Sequence, residues 1–210
     1  MNANRPYVIG LTGGTGSGKT TAAKALEDLG AFRIDADAIS RSLTAPGGAA
    51  LGAIRERFGG AYFGEDGSLD RRAMADAVFR SEENRRALEA IVHPMVRERM
   101  REEIERAARD GRAAALLDVP LLFEAGMEDM CGEVWAVTCP AAERARRVTL
   151  RDGISFEQAM ERIACQMSDE ERARRADRVL ANDGGEEAFA QKAREAYEET
   201  LRRISGKGNE

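Results

Sequence analysis

The sequence predicts an α/β fold, a class in which short buried strands alternate with helices. Three observations support it: five short apolar segments, helical segments between them, and a glycine-rich loop directly after the first apolar segment. Because strands separated by helices run parallel, we expect a five-stranded parallel sheet. The expected strands are 7–12, 31–35, 113–119, 133–138 and 178–182.

The loop after the first strand reads GGTGSGKT over residues 13–20 and fits G-x-x-x-x-G-K-[ST] at every fixed position. In this pattern backbone N–H groups surround phosphate oxygens, a lysine reaches the β and γ phosphates, and a hydroxyl ligates Mg²⁺. A helix expected over 20–29 adds its positive dipole end. The pattern predicts a phosphate-loop NTPase fold whose ATP-binding loop residues are Gly14, Thr15, Gly16, Ser17, Gly18, Lys19, Thr20 and Thr21.

Two alternatives to a phosphate loop are a flexible turn and a dinucleotide-binding loop. The first is disfavoured because strand, loop and helix follow in the order that a phosphate loop requires. The second requires a third glycine where this chain has Lys19. We therefore expect Lys19 to neutralise the transferring phosphate and Thr20 to hold Mg²⁺.

Composition points to small-molecule ligands. The 210 residues carry 37 acidic and 32 basic side chains, a formal net charge of −5, which argues against general nucleic-acid binding. The length suits one α/β domain with insertions. We expect ATP and a small acceptor as partners, with the chain a monomer or a small homo-oligomer.

The cysteine pattern and the lack of a long apolar segment predict a cytoplasmic protein. Cys131, Cys139 and Cys165 are odd in number and lack C-x-x-C spacing, which favours reduced thiols in packing roles. No segment approaches the roughly 20 apolar residues of a membrane span, and the N-terminus lacks the apolar core of a signal peptide. We expect neither a membrane partner nor a disulfide.

Two long segments interrupt the strand pattern. Residues 39–109 are mostly helical and much longer than a crossover between strands requires. We interpret them as a substrate-binding insertion, with extra helical packing as the alternative. The segment 141–175, which contains two capping-box patterns that start at Ser155 and Ser168, is interpreted as a lid.

Acidic residues follow two of the expected strands. Of Asp35 and Asp37, one could accept the proton of an acceptor hydroxyl, and Asp37 is the favoured base while Asp35 suits a helix N-cap equally. Asp118 ends the third strand and is a candidate Mg²⁺ ligand, with a turn residue before Pro120 as the alternative. Glu124 is a further candidate Mg²⁺ ligand.

The remaining candidates are basic. Arg147 and Arg151 are four residues apart and share a helix face from which they could bind phosphate oxygens. Arg144 and Arg146 are expected on a solvated face. His93 is the only histidine, and a capping or core role is favoured over catalysis.

Taken in order along the chain, these motifs resemble those of the dephospho-coenzyme A kinase family. The resemblance covers residues 7–203, and although the phosphate loop is common to many families, the combination of motifs is specific. Thr15 and Arg144 depart from the isoleucine and glutamine frequent in the family. The residues that carry the resemblance are 9–20, 35–37, 93–94, 118–124, 147, 151–152, 166 and 182–184.

The resemblance implies a kinase that transfers the γ phosphate of ATP to the ribose 3′-hydroxyl of dephospho-coenzyme A, the last step of coenzyme A synthesis. Its core would be 1–38 and 110–210, with a coenzyme A domain at 39–109 and the lid at 141–175. The resemblance implies that Asp37 is the base and Arg147 a lid arginine, and that His93 and Arg151 are substrate-binding residues. Asn182 and Gly184 would lie near the adenine of ATP.

Two other functions compete with this one. Another phosphate-loop kinase, of a nucleoside, nucleotide or sugar acid, would share the loop and the lid. A guanine-nucleotide switch would need an N-K-x-D motif, which is absent because no lysine follows an asparagine.

Overall fold

The computed structural model describes residues 5–206. The strands are β1 (Tyr7–Gly13), β2 (Phe32–Asp35), β3 (Ala114–Asp118), β4 (Glu133–Thr138) and β5 (Arg178–Ala181). The helices are α1 (Lys19–Asp28), α2 (Ala36–Leu43), α3 (Leu51–Phe58), α4 (Arg71–Arg80), α5 (Glu82–Arg109), α6 (Ala141–Asp152), α7 (Phe156–Ala164), α8 (Asp169–Arg175) and α9 (Glu186–Gly206).

The strands form one five-stranded parallel sheet in the order β2-β3-β1-β4-β5, as the sequence predicts. β1 lies at the centre, between β3 and β4, so the chain leaves β1 toward one edge and later returns to the other side. The register pairs Leu11 with Asp118 and Thr12 with Ala136. Such a switch point is where ligands bind in open α/β sheets, and it places the loop after β1 there.

A continuous apolar core holds β1 against the helices. Ile9 and Leu11 of β1 are fully buried together with Trp135 of β4, as expected for the central strands of a parallel sheet. Leu26 of α1 and Tyr197 of α9 belong to the same cluster. The core therefore fixes the end of β1 and the start of α1, the two elements that the loop connects.

The chain divides into two compact units, Asp35–Glu103 and the remainder. The unit of Asp35–Glu103 contains α2, α3, α4 and most of α5, with Ile54, Met74 and Met100 buried. Pro94 lies inside α5. The role of this region as a coenzyme A domain stays a prediction.

Three helices occupy the segment interpreted as a lid. At the start of α7, Ser155 and Gln158 form the predicted capping box, and the Ser168 side chain accepts the N–H of Glu171 at the start of α8. α6 and α7 pack together through a small cluster that includes Val148 and Ile163. The two helix starts that the sequence predicts here are confirmed.

The three cysteines are free thiols, but they do not all pack inside. Cys139 is buried and Cys131 is half-buried, where burial above all, together with nearby carboxylates, raises the Cys131 pKa to about 12. Cys165 is exposed, so the predicted packing role is wrong for this residue, which lies in the turn between α7 and α8. Within residues 5–206, every helix is too short or too polar to cross a bilayer.

Packing of α1 is expected to depend on Leu26, which is fully buried, whereas Leu29 one turn later is 38% exposed. We expect Leu26→Ala to lower the free energy of unfolding by about 2–5 kcal/mol, because it leaves a cavity in a close-packed core. Leu29→Ala is the matched control and should cost clearly less. Urea unfolding followed by circular dichroism measures both, and equal losses would contradict the packing described.

Candidate active site

The glycine-rich loop runs from the end of β1 to the first turn of α1. Gly18 is the N-cap of α1 and has φ 97°, a left-handed conformation that favours glycine. The first N–H groups of a helix have no intrahelical acceptor, so the start of α1 presents donors and a positive dipole end. The local geometry therefore suits an anion at Lys19 and Thr20, as the sequence predicts.

The side chain of Asn182 supports the backbone of this loop. Its side chain is buried and donates from Nδ2 to the carbonyl oxygen of Ser17 at 2.7 Å, while its backbone N–H bonds to Thr138. A Cβ atom added to Gly18 would lie 2.2 Å from the same Nδ2. Asn182 thus holds the loop backbone, and Gly184 lies exposed two residues further on.

The carboxylate of Asp118 lies between two cations at the end of β3. Its Oδ1 pairs with the Lys19 ammonium, and its Oδ2 accepts from Nε and Nη2 of Arg33 at 3.0 and 2.6 Å. The Asp118 side chain is only 3% exposed. Both cations therefore stabilise a carboxylate that burial would otherwise disfavour.

Arg33 was not among the residues that sequence reasoning selected. It lies inside β2, where it follows an aromatic residue and carries no motif. Only the strand order, which places β2 beside β3, brings it to Asp118. Sequence patterns give no strand order, so no signal in the chain could have identified it.

The four arginines of α6 differ in burial and in their partners. Arg144, expected on a solvated face, is buried and donates from Nε to the carbonyl oxygen of Thr15 at 2.9 Å, so that prediction is wrong. Arg146 is exposed, as predicted. Burial lowers the pKa of Arg144, against the opposing effect of Asp169.

Arg147 and Arg151 differ although they share a helix face. Arg147 is half-buried; its Nη1 lies 3.5 Å from the carbonyl oxygen of Gly16 and its Nε 3.3 Å from Glu143. Arg151 instead pairs with its neighbour Asp152 at 2.7 Å. The structure therefore brings Arg147 to the loop, while Arg151 is bound within the lid.

The other predicted residues belong to the start of α2, to α5 and to the segment after β3. Asp35 is the N-cap of α2 and accepts from the N–H of Ala38 at 2.8 Å, while Asp37 is exposed in the first turn of that helix. His93 is half-buried within α5. Glu124 lies 3.6 Å from Nη2 of the fully buried Arg172.

A cleft of about 550 Å³ opens between the lid helices and the ends of β4 and β5. Its walls include apolar side chains of the segment 141–175, Pro140 and Asn182. Size and lining suit a flat aromatic ring with a few polar edges. Because Asn182 also supports Ser17, the cleft and the phosphate loop are directly connected.

A central strand that ends in a phosphate loop, a buried acidic residue on the neighbouring strand β3 and arginines of α6 at the loop are typical of phosphate-loop kinases. Residues 7–188 match the sequence model of the dephospho-CoA kinase family. The chain belongs to this family.

Individual relatives agree with this assignment. A dephospho-CoA kinase of Symbiobacterium thermophilum is 48% identical over 177 residues, which are 84% of this chain and 74% of the relative. A crystal structure of a Thermus thermophilus protein has a TM-score of 0.81 at 38% identity, covering 94% of this chain and 98% of the other. A Campylobacter jejuni dephospho-CoA kinase has a TM-score of 0.70 at 25% identity, with the same coverages.

The close contact at Gly18 generates a prediction. Gly18→Ala combines a positive φ with a Cβ atom 2.2 Å from Asn182, whereas Gly153→Ala has a positive φ of 68° and open space around the added atom. We expect Gly18→Ala to weaken ADP binding about tenfold or more, because the loop must shift at the phosphate site. Gly153→Ala should lose only stability. Calorimetric titration with ADP and thermal melting separate the two, and equal ADP affinities would contradict this account.

Proposed function

We propose that this chain transfers the γ-phosphoryl group of ATP to the ribose 3′-hydroxyl of dephospho-coenzyme A. The observation that carries the proposal is the phosphate loop with Lys19 beside the buried Asp118, in a chain that belongs to the dephospho-CoA kinase family. The 3′-oxygen attacks the γ phosphorus, the bond to the β–γ bridging oxygen breaks, and ADP leaves. The hydroxyl proton passes to a carboxylate of this chain.

ATP is proposed to bind along the loop and the cleft. Its phosphates would lie at the start of α1, and its adenine in the cleft between the lid and Asn182. The apolar walls would cover the faces of the base. Of the residues after β5, Gly184 would border the adenine edge, as the resemblance implies.

Lys19 and Asp118 are proposed to exchange partners when ATP arrives. In this structure the Lys19 ammonium is paired with Asp118. The triphosphate carries more negative charge than one carboxylate, so Lys19 would turn toward it and neutralise the charge that develops on the transferred group. Arg33 would keep Asp118 oriented through Oδ2, which leaves Oδ1 facing the loop.

The residues present fit a Mg²⁺ ion that accompanies ATP. Magnesium prefers one or two protein oxygens together with substrate phosphates and water, so a larger protein cluster is not needed. Among residues 5–206 no group of three or more His, Cys, Asp or Glu could hold a metal. The hydroxyl of Thr20 and the carboxylate of Asp118 are the proposed oxygen donors, and the ion would neutralise phosphate charge.

Arg147 is proposed to bind the transferred phosphoryl group from the lid. Its guanidinium already lies at the loop, 3.5 Å from the Gly16 carbonyl oxygen. Because a carbonyl is a weaker partner than a phosphate oxygen, the same side chain would move to the phosphate when ATP is bound. Arg151, bound to Asp152, and His93 are proposed on the substrate side by resemblance alone.

Asp37 is the proposed general base, and the region 39–109 the proposed coenzyme A domain. Asp35 caps α2, and Asp37 lies exposed in the first turn of the same helix. The chain is proposed to act in the cytoplasm, as a monomer or small homo-oligomer, without nucleic acid or membrane partners. These points rest on the sequence expectations.

The acceptor is tested directly. Purified protein with ATP and Mg²⁺ is offered dephospho-coenzyme A, nucleosides, nucleotides and gluconate, and products are identified by mass spectrometry and phosphorus NMR. We expect phosphate on the 3′-oxygen of dephospho-coenzyme A alone. Lys19→Met is the control for contaminating kinases and should lose the activity, since it removes the cation of the loop. Turnover of a nucleotide without turnover of dephospho-coenzyme A would overturn the proposal.

The role of Asp37 is tested by Asp37→Asn. An amide cannot accept the hydroxyl proton, so kcat should fall by about 10²–10⁴-fold. ADP affinity should stay unchanged, because the phosphate loop is intact. Asp35→Asn is the matched control: asparagine is a good N-cap, so this variant should retain most activity. An unchanged kcat in Asp37→Asn would exclude it as the base.

A further inference from the structure

Thr15, the third residue of the phosphate loop, is held at all three of its polar groups by side chains of the lid segment. Its N–H donates to Oε1 of Gln166 at 3.0 Å, and its hydroxyl accepts from Nε2 of the same side chain at 3.1 Å. Its carbonyl oxygen accepts from Nε of Arg144 at 2.9 Å. Gln166 lies between α7 and α8, and Arg144 lies in α6.

The two lid residues also hold each other. Nη2 of Arg144 donates to Oε1 of Gln166 at 3.0 Å, and Nη1 donates to Asp169 at 3.1 Å. Asp169 in turn accepts the N–H of Cys139, just after β4, at 3.0 Å. We call Thr15, Arg144, Gln166 and Asp169 the Thr15 clamp. It links the loop to the lid, and the lid to the end of the central sheet.

Arg144 can approach the loop backbone this closely because two loop positions are glycines without a Cβ atom. A Cβ atom at Gly14 would lie 2.1 Å from Nη2 of Arg144, and one at Gly16 would lie 2.7 Å from the Arg144 carbonyl oxygen. Arg144 therefore lies directly against the loop backbone. Its side chain is only 3% exposed, so water competes little for its hydrogen bonds.

We propose that Gln166 and Arg144 are positioning residues that order the phosphate loop before nucleotide binds. Glycine-rich backbone loses more conformational freedom on ordering than any other, and a ligand that must order it binds more weakly. The Thr15 clamp fixes the first half of the loop, and Asn182 fixes Ser17 in the second half. The N–H groups around the phosphate site are then held in place in the nucleotide-free protein.

The same contacts place the lid arginine. Arg147 lies three residues after Arg144 in α6, nearly one helical turn further on. With Arg144 fixed to Thr15, the side chain of Arg147 is held near Gly16. This positioning role rests on one part of the proposed function, namely that a nucleotide binds at this loop.

The test compares Gln166→Met, which removes both hydrogen bonds to Thr15, with the unmodified full chain. We expect the Kd for ADP to rise about tenfold, the effect of losing one to two net hydrogen bonds. Hydrogen exchange of the peptide that covers residues 13–18 should speed up in nucleotide-free protein, while α9 keeps its protection. Gln191→Met is the matched control, because the Gln191 side chain is exposed and donates to Glu195 of the same helix; it should change neither quantity.

A purely structural role would give a different result. If Gln166→Met melts at a lower temperature but keeps its ADP affinity and loop exchange, the proposal is wrong. Gln166→Glu keeps the acceptor for the Thr15 N–H and should restore the slow loop exchange of the unmodified chain. If Gln166→Met does not fold, Thr15→Val carries the test, with Thr15→Ser as the variant that keeps the hydroxyl. Equal ADP affinity and equal loop exchange in that pair would also overturn it.

These readouts do not depend on the acceptor. A protein that binds ADP through an ordered loop but fails to phosphorylate dephospho-coenzyme A would contradict the proposed function and leave this inference intact. Normal phosphorylation of dephospho-coenzyme A, together with unchanged ADP affinity and loop exchange in Gln166→Met, would contradict the positioning role and leave the proposed function intact.

Discussion

The structure depends on one requirement: a glycine-rich backbone between β1 and α1 must be held open so that its N–H groups can face an anion. Burial of β1 at the centre of the sheet fixes one end, and the packing of α1 through Leu26 fixes the other. Between them, Asn182 holds the Ser17 carbonyl from the β5 side, and Arg144 and Gln166 hold Thr15 from the lid side. Both halves of the loop are thus supported by side chains distant in sequence.

Charge is arranged around the same loop. Lys19 and Arg33 share the buried carboxylate of Asp118, and Nη1 of Arg33 also lies 3.7 Å from the carboxylate of Glu27. Lys19 is the first residue of α1, so its ammonium adds to the positive dipole end of the helix. An incoming triphosphate therefore meets a site whose positive groups are already positioned by Asp118 rather than dispersed in solvent.

Sequence reasoning predicts the elements that local patterns specify. All five strands, the loop and the capped starts of α7 and α8 follow from apolar runs, glycine spacing and Ser-x-x-Glu or Ser-x-x-Gln patterns. Contacts between distant segments do not follow. Arg33 reaches Asp118 only through the order of β2 and β3, and Arg144 belongs to a charge-rich helix whose sequence equally suits solvent exposure. Which of several arginines turns inward depends on the tertiary partners, here Thr15, Gln166 and Asp169.

The burial of Arg144 is better explained by the fixed directions of its hydrogen bonds than by its charge. Its three donor directions serve three different elements: the loop at Thr15, the α7–α8 connection at Gln166 and α8 at Asp169. Arg172, also buried, makes ion pairs only to Asp169 and Glu124, and its Nε has no hydrogen-bond partner among the described residues. A lysine could neutralise Asp169, but a single ammonium cannot match a planar fork with fixed angles. The position therefore demands a guanidinium because it sets the register of the lid on the loop, and a buried charge that fixes register is useful even where it adds little stability.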